Sequence, residues 1–415
     1  MRRTTLTTLF LLAISFAAHA QQIKDFTYKI YGMVRNDYFF NSRQNEETVE
    51  GIFLMFPKDH AYDPLGHDIN AHSESSLYNL HTRLGVDLTG PEIWGAKTGA
   101  KVEFDFRGSG STFAVIRLRH AYATLDWGHN KWLLGQTWHP LYGTVAPELM
   151  NLNMGAPFQP FNRAPMIQYS YAPKNLLLRA SVLWQAQYLS VGPNGKSRDY
   201  IHNSNIPEMF LGLDYQDATW TAGAGLHFSS LVPRLSSSMP TPFSDQGPNN
   251  KVNYKVSERI NGLTGEVHFK YKDKKLMVAG KSVISSNLTQ CSSVGGYGVT
   301  SRDEVTGEQE YAPLRVSQSW LNVMYGTKWR GGVFLGYLKN LGASKEVTDL
   351  IGTGTNLDQL AAANFELTYN IPHWKIGAEY SLTTAWYGTN DAKGKVRDTH
   401  DVANHRLVVS ALYSF

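Results

Sequence analysis

The side chains best able to do chemistry here are ionised and fall at alternating positions: Arg35; Arg83; Lys101, Glu103 and Asp105; Arg117 and Arg119; and Arg179. A guanidinium stays charged at physiological pH and holds a carboxylate or phosphate through two parallel N–H donors. A row of such groups lining a narrow, poorly solvated space attracts anions and repels cations. Asp37, Asp87, Glu103 and Asp105 are interspersed with them, so the same pattern suits a wall braced by cross-strand ion pairs. Both readings stay open on the sequence.

Other groupings are weaker. Asp59, His60, Asp63, His67, Asp68 and His72 are all possible metal ligands. Their spacing matches neither a zinc-binding helix nor an EF-hand, and Pro64-Leu65-Gly66 breaks any helix that would align them. A solvated loop is expected there, with no metal and no cofactor. Serines and histidines abound, but no Gly-x-Ser-x-Gly or comparable nucleophile setting occurs, and no catalytic residue is assigned. A Ser-His-acid group near one rim could draw on His60 or His227, but no motif supports it. Cys291 is the single cysteine; it lies in a loop-like stretch and reads as a free thiol.

The elements that must hold these residues are strands. From Tyr78 to Leu88 the even positions are Tyr, Leu, Thr, Leu, Val and Leu, while the odd ones are Asn, His, Arg, Gly and Asp. Alternate side chains of a strand point to opposite faces, so one face is apolar and the other polar. Ala100, Val102, Phe104 and Phe106 likewise alternate with Lys101, Glu103, Asp105 and Arg107. Such runs predict strands near 26–40, 77–89, 97–107, 113–126, 131–138, 165–172, 176–189, 207–216, 218–230, 258–271, 275–286, 315–328, 332–340, 362–370, 373–386 and 403–415. Short turns are predicted at Gly90-Pro91-Glu92, Trp127–Asn130, Pro173–Asn175, Asp217, Asp273-Lys274, Arg330-Gly331 and Ile371-Pro372. Long polar loops are predicted near 41–76, 139–164, 190–206, 231–257, 287–314, 341–361 and 387–402, with one short link at Gly108–Ser111.

An even strand count with short turns on one rim and long loops on the other is the habit of an antiparallel transmembrane β-barrel. A sixteen-strand closed sheet is too wide for side chains to fill, so its polar face encloses water. Its apolar face then meets lipid, where closure satisfies every backbone group. Trp127, Trp132, Trp220, Trp329 and Trp374 adjoin the short turns, where an interfacial girdle falls. Leu407, Val409, Ala411, Tyr413 and Phe415 alternate to the end, which resembles the last-strand pattern by which outer-membrane barrels are recognised for assembly.

The N-terminus reads as an export signal. Arg2 and Arg3 precede a short apolar stretch, Leu9–Ala17, and Ala18-His19-Ala20 is a small-x-small cleavage site. Cleavage there would leave Gln21 first and a single domain over 21–415. Of 39 basic residues, 37 then remain against 35 acidic ones, a net charge of about +2. That near-balance argues against a nucleic-acid binder. No later segment approaches the ~18 apolar residues of a membrane helix.

Three segments together resemble the DcaP-like porins, within the trimeric sixteen-stranded Gram-negative porins: Thr82–Asp87 running to Gly90-Pro91; Lys101–Phe106; and Arg117–Tyr122 with Leu133–Trp138. The resemblance is concentrated in residues 80–140. It implies an outer-membrane homotrimer, bounded by lipid, through which small hydrophilic and often anionic solutes diffuse passively. It also implies that the loop after strand five folds into the lumen. Here that loop, 139–164, carries Leu141, Met150, Leu152, Met154 and Phe158, which suit a barrel wall better than solvent. Arg35, Arg83, Lys101, Glu103, Asp105, Arg117, Arg119 and Arg179 are the expected pore-lining residues. Two other functions remain compatible with the strand pattern: a membrane-barrel lipase or protease, and a secreted all-β carbohydrate-binding protein.

Overall fold

The computed structural model describes residues 26–47, 53–108, 114–240 and 251–415. The export-signal reading of residues 1–20 lies outside them. Among the described residues sixteen strands form one closed antiparallel barrel. They are β1 (Thr27–Asn41), β2 (Glu74–Tyr78 and Arg83–Ile93, interrupted between), β3 (Ala96–Asp105), β4 (Arg117–Asp126), β5 (Asn130–Trp138) and β6 (Arg163–Tyr171). Next come β7 (Leu176–Leu183), β8 (Glu208–Gln216), β9 (Trp220–Leu231), β10 (Ile260–Lys272) and β11 (Leu276–Ser286). The last are β12 (Arg315–Gly326), β13 (Trp329–Gly342), β14 (Leu357–Ile371), β15 (Trp374–Asn390) and β16 (Val396–Ser414). Each strand pairs with the next in sequence, and β1 closes the ring on β16 in the register Met33↔Ser414 to Asn41↔Arg406. Closure leaves no free sheet edge, which lipid would not tolerate.

The alternation sorts as the sequence predicts. Outward positions such as Leu178, Leu211, Leu213, Leu226 and Val267 are exposed, and their inward neighbours Arg179, Asp214 and Glu266 are buried. The girdle tryptophans are exposed, and four of the five pair with tyrosines of neighbouring strands: Trp132–Tyr169, Trp220–Tyr271, Trp329–Tyr369 and Trp374–Tyr413, with ring centroids 4.8 to 5.2 Å apart.

The structure departs from the sequence reading at several places, among them the loops 287–314 and 341–361, which carry the paired strands Gly295–Arg302, Gln309–Pro313 and Thr348–Thr353. The first short turn is not at Gly90-Pro91-Glu92, which is strand; the chain reverses at Trp94-Gly95, both with positive φ (53° and 75°). Two positive φ values give the mirror-image turn whose twist matches a hairpin, and glycine takes the second without strain. Similarly, Arg330-Gly331 lies within β13, and its turn precedes Trp329. The predicted loop 387–402 shrinks to 391–395, because β15 and β16 continue pairing to Asn390↔Val396. The interior is also not uniformly polar. Inward residues Met277, Ala279, Trp320, Met324, Phe334, Leu338 and Leu360 are buried and apolar, because the loop after β5 lies against them.

That loop, L3 (139–162), supplies Tyr142, Val145, Leu149, Ala156, Phe158 and Phe161 to the same cluster. Burying each of the larger of these side chains stabilises by roughly 1.5–3 kcal/mol. Two inward glycines make room for it: a Cβ at Gly336 would strike the Phe158 ring, and one at Gly377 the Met150 methyl. The hairpin Asn45–Glu47/Leu54–Pro57 in loop L1 (42–73) adds Phe53 and Phe56 from above.

Candidate functional site

L3 crosses the lumen on a series of specific fastenings. Close to its start, Lys281 Nζ donates to the carbonyls of Leu141 and Tyr142 at 2.7 and 3.0 Å. Further along, the Glu148 amide donates to Asn322 at 2.8 Å, and the Glu148 carboxylate accepts from Arg330 at 2.6 Å. Burial tends to raise the carboxyl pKa of Glu148, but Arg330, Lys270 and Lys272 outweigh it and hold the group below its ordinary value. At the far side the Met150 amide donates to both Glu366 (2.6 Å) and Glu379 (2.8 Å), and the Asn151 amide donates to Glu379. Arg35 Nη2 donates to the Met150 carbonyl at 2.5 Å. On the return, Gln159 is held by Trp320, and Phe161 N–H donates to the Cys291 carbonyl.

L3 is thus fastened to β8 and β10–β15, with β1, and the charged face of β2–β4 lies opposite its anchored wall. There the predicted residues gather. Arg119 donates to Glu103 at 2.5 Å and to Asp105 at 2.9 Å. Arg117 grips Asp105 with two donors, at 2.9 and 2.6 Å, and its third nitrogen meets Tyr188 Oη at 3.2 Å. Arg83 lies 3.4 Å from Glu103, and Lys101 pairs with Asp87 at 2.9 Å. Two of the predicted eight are elsewhere. Arg35 is bound to Asp37 and to L3, and Arg179 pairs with Asp214 at 2.8 Å on β8.

Sequence reasoning missed two members. Arg163, the first residue of β6, is buried with its guanidinium 3.7 Å from the Trp138 ring centroid, and its Nε and Nη1 have no hydrogen-bond partner. Arg107 is buried too; one nitrogen meets His81 at 3.2 Å, and Nε and Nη2 are unpartnered. Arg107 shares its face with Glu103 and Asp105, so the alternation already marked it. Arg163 fell inside the predicted loop and had no such signal. Five guanidiniums (Arg83, Arg107, Arg117, Arg119, Arg163) therefore stand against two carboxylates. Above them a cavity of about 490 Å³ opens among the long loops, lined by Glu47, Arg107, Arg117, Tyr188, Lys196 and Arg198 among others.

The first-loop acids and histidines separate into one ion pair, Arg43–Asp68 at 2.7 Å, and hydrogen-bonded pairs, His60–Asp68 at 2.7 Å, His400–Asp59 at 2.6 Å and His67–Asp63 at 3.2 Å. Burial tends to raise the Asp68 pKa, yet Arg43, His60 and two backbone amides keep it well below the carboxylate range. Burial pushes the Cys291 thiol pKa well up, which suppresses its reactivity. Among the described residues one group has metal-ligand proximity: His139, Glu208 and His227. His139 Nδ1, however, accepts the Leu141 N–H at 3.2 Å, so neutral His139 carries its proton on Nε2 and donates it to Glu208. A ligating histidine needs the opposite arrangement, with its second nitrogen donating to an acceptor. Glu208 also accepts from His227 at 2.8 Å and Gln185 at 2.6 Å. The arrangement serves as a hydrogen-bonded knot tying the start of L3 to β8 and β9.

The closed sixteen-strand wall with its girdle, inward loop and charged face is that of an outer-membrane barrel of the porin fold. Among solved structures the chain is similar to the outer membrane channel DcaP of Acinetobacter baumannii, with TM-score 0.67 and 17% identity over 94% of this chain and 98% of that one. It is also similar to OmpT, an outer-membrane protein of Vibrio cholerae (0.54, 11% identity, 94% and 98% covered), and to Salmonella typhi OmpF in complex with daunomycin (0.53, 12%, 94% and 97%). No protein-family model and no curated protein matches the chain.

Proposed function

We propose that this chain is a passive diffusion porin for small hydrophilic solutes, with a preference for anions, and that it acts as a homotrimer after removal of residues 1–20 as an export signal. The observation that carries the anion preference is the excess of guanidiniums over carboxylates facing L3, with unpartnered N–H groups on Arg107 and Arg163. Buried in the wall, these guanidiniums act on a passing ion through their charge rather than by direct contact, and burial strengthens their field. Supporting the trimer, a neighbouring structure of Vibrio cholerae OmpT, TM-score 0.52, is described as a trimer form. The enzyme reading needs a serine hydroxyl on His60 or His227, and among the described residues the side-chain hydrogen bonds of these rings go to Asp68 and Glu208 instead. Recording from the purified protein in a planar bilayer tests the proposal. Stepwise conductance is expected, with a reversal potential of anion sign in a KCl gradient. No current overturns the pore, and a cation-selective current overturns the preference. Heat-modifiable migration separates any barrel from a soluble all-β protein.

A further inference from the structure

The outward face of the wall is hollowed along one line. A row of outward residues runs across six strands, each paired with the next from β6 to β11: Tyr169, Ala180, Leu211, Leu226, Gly265 and Ile284. Neighbouring strands lie about 4.8 Å apart, so the row is about 24 Å long. Tyr169 is two residues from the end of β6 at its short turn, and Ile284 two residues from the end of β11 at its long loop. The row therefore climbs obliquely across the apolar band towards the long-loop rim.

Small residues make the hollow. Ala180 and, in the adjoining row, Ala224 stand among Leu211, Leu213 and Leu226. Above Gly265 the space is open: a Cβ there would meet only Leu226 Cδ2, at 3.7 Å. Inward glycines nearby have no such room, since a Cβ at Gly212 or Gly225 would strike the Phe210 ring. The result is an open groove of about 850 Å³ on these strands, the size of a ligand site rather than of a gap between side chains.

The upper end of the groove leads to a cation. On β12, Ser317 pairs with Ile284 and Arg315 with Ser286, so Arg315 stands one outward position above the groove. Arg315 is exposed, and its guanidinium has no hydrogen bond or ion pair among the described residues. Lys339, opposite Ser317 on β13, is the neighbouring cation, and Asp358 neutralises it at 2.6 Å. Arg315 is the uncompensated charge of the two.

We propose that this groove holds one anionic membrane lipid, with an acyl chain along the hollow at Ala180, Ala224 and Gly265 and the phosphate on Arg315. Lipid chains are as apolar as leucine, so burial alone does not favour the groove over the surrounding bilayer. Shape does: a chain in the hollow meets wall atoms on three sides, and each close pair adds dispersion energy. The guanidinium adds two parallel donors suited to a phosphate. A phosphate on a hydrocarbon chain divides its chemistry as this surface does. The proposal stands on the barrel in its outer membrane and is independent of what passes through the pore.

The test is native mass spectrometry of the full protein in detergent with added dipalmitoyl phosphatidylglycerol. The comparison lipid is a galactosyl diacylglycerol of the same chains, which has no phosphate. Wild-type protein should retain the phosphatidylglycerol about fivefold better, the effect of one basic side chain near an anionic surface. Arg315→Gln leaves no acid unpaired and should abolish that preference. Gly265→Leu fills the groove where space is open and should lose both lipids alike, with heat-modifiable migration unchanged. Equal retention of the two lipids by the wild type, or a preference that survives Arg315→Gln, overturns the headgroup site. Full retention by Gly265→Leu overturns the groove. A fall in oligomer mass with Gly265→Leu overturns the lipid in favour of a second copy as occupant.

Discussion

Replacing Arg107 by Gln tests the charge argument with little structural disturbance. Two of its side-chain nitrogens have no partner and the third meets His81, so its loss orphans no acid. Losing Arg117 would instead take two donors from Asp105. For an ion passing about 8 Å from the guanidinium, the Coulomb energy is ~0.5 kcal/mol at the dielectric of water. Screening at 0.1 M salt halves it to ~0.25 kcal/mol. An anion loses what a cation gains, so the permeability ratio changes by the doubled energy, about twofold. If the effective dielectric falls to about 40, between bulk water and a protein surface, the change rises to about fivefold. The assay is the reversal potential in a tenfold KCl gradient, beside the single-channel conductance. The variant should move towards zero potential with conductance changed by less than half. An unchanged potential, or one showing stronger anion preference, would refute the role given to this arginine.

Loosening L3 should widen the passage. Gly336→Val places atoms where the Phe158 ring lies; a cost of about 1–3 kcal/mol from overpacking should appear as lower thermal stability and larger or noisier conductance steps. Glu148→Gln removes a charge-assisted bond to Arg330 that is partly open to solvent, worth about 0.5–1 kcal/mol, and should increase current noise at pH 7. Because the folded Glu148 pKa is depressed, its stabilisation is present above the unfolded value near ~4.3 and fades as pH falls through the folded one. Wild-type noise should therefore be flat from pH 8 to 5 and rise only in stronger acid. Glu208→Gln should cost about 2–4 kcal/mol in a thermal melt, since an NH₂ group would then face donors. A chelator should leave the wild-type melt unshifted; a large drop would instead favour a metal at His139 and His227.

Much of this architecture was legible before any coordinates. Alternation depends on a residue's own type and its neighbours two positions away, so strand number, face and girdle followed directly. The charged residues around Glu103 and Asp105 were marked as one polar face, because cross-strand neighbours in a meander are close in sequence; which of them pair was left open. Long-range geometry was not legible. The apolar inward patch on β11–β14 breaks the polar-in rule, and it makes sense only once L3, more than a hundred residues earlier, is laid across it. Gly336 and Gly377 read as weak strand residues until Phe158 and Met150 are seen against them. Arg163 joins Arg119 only when β6 follows L3 back to the wall, and the outer groove appears only when Ala180, Ala224 and Gly265 are set side by side on separate strands. The sequence by itself determined the barrel, because a period of two is a local property of the chain. Where L3 lies, which arginines converge and which part of the wall is left hollow were decided by tertiary structure, because those depend on contacts between segments that share no sequence neighbourhood.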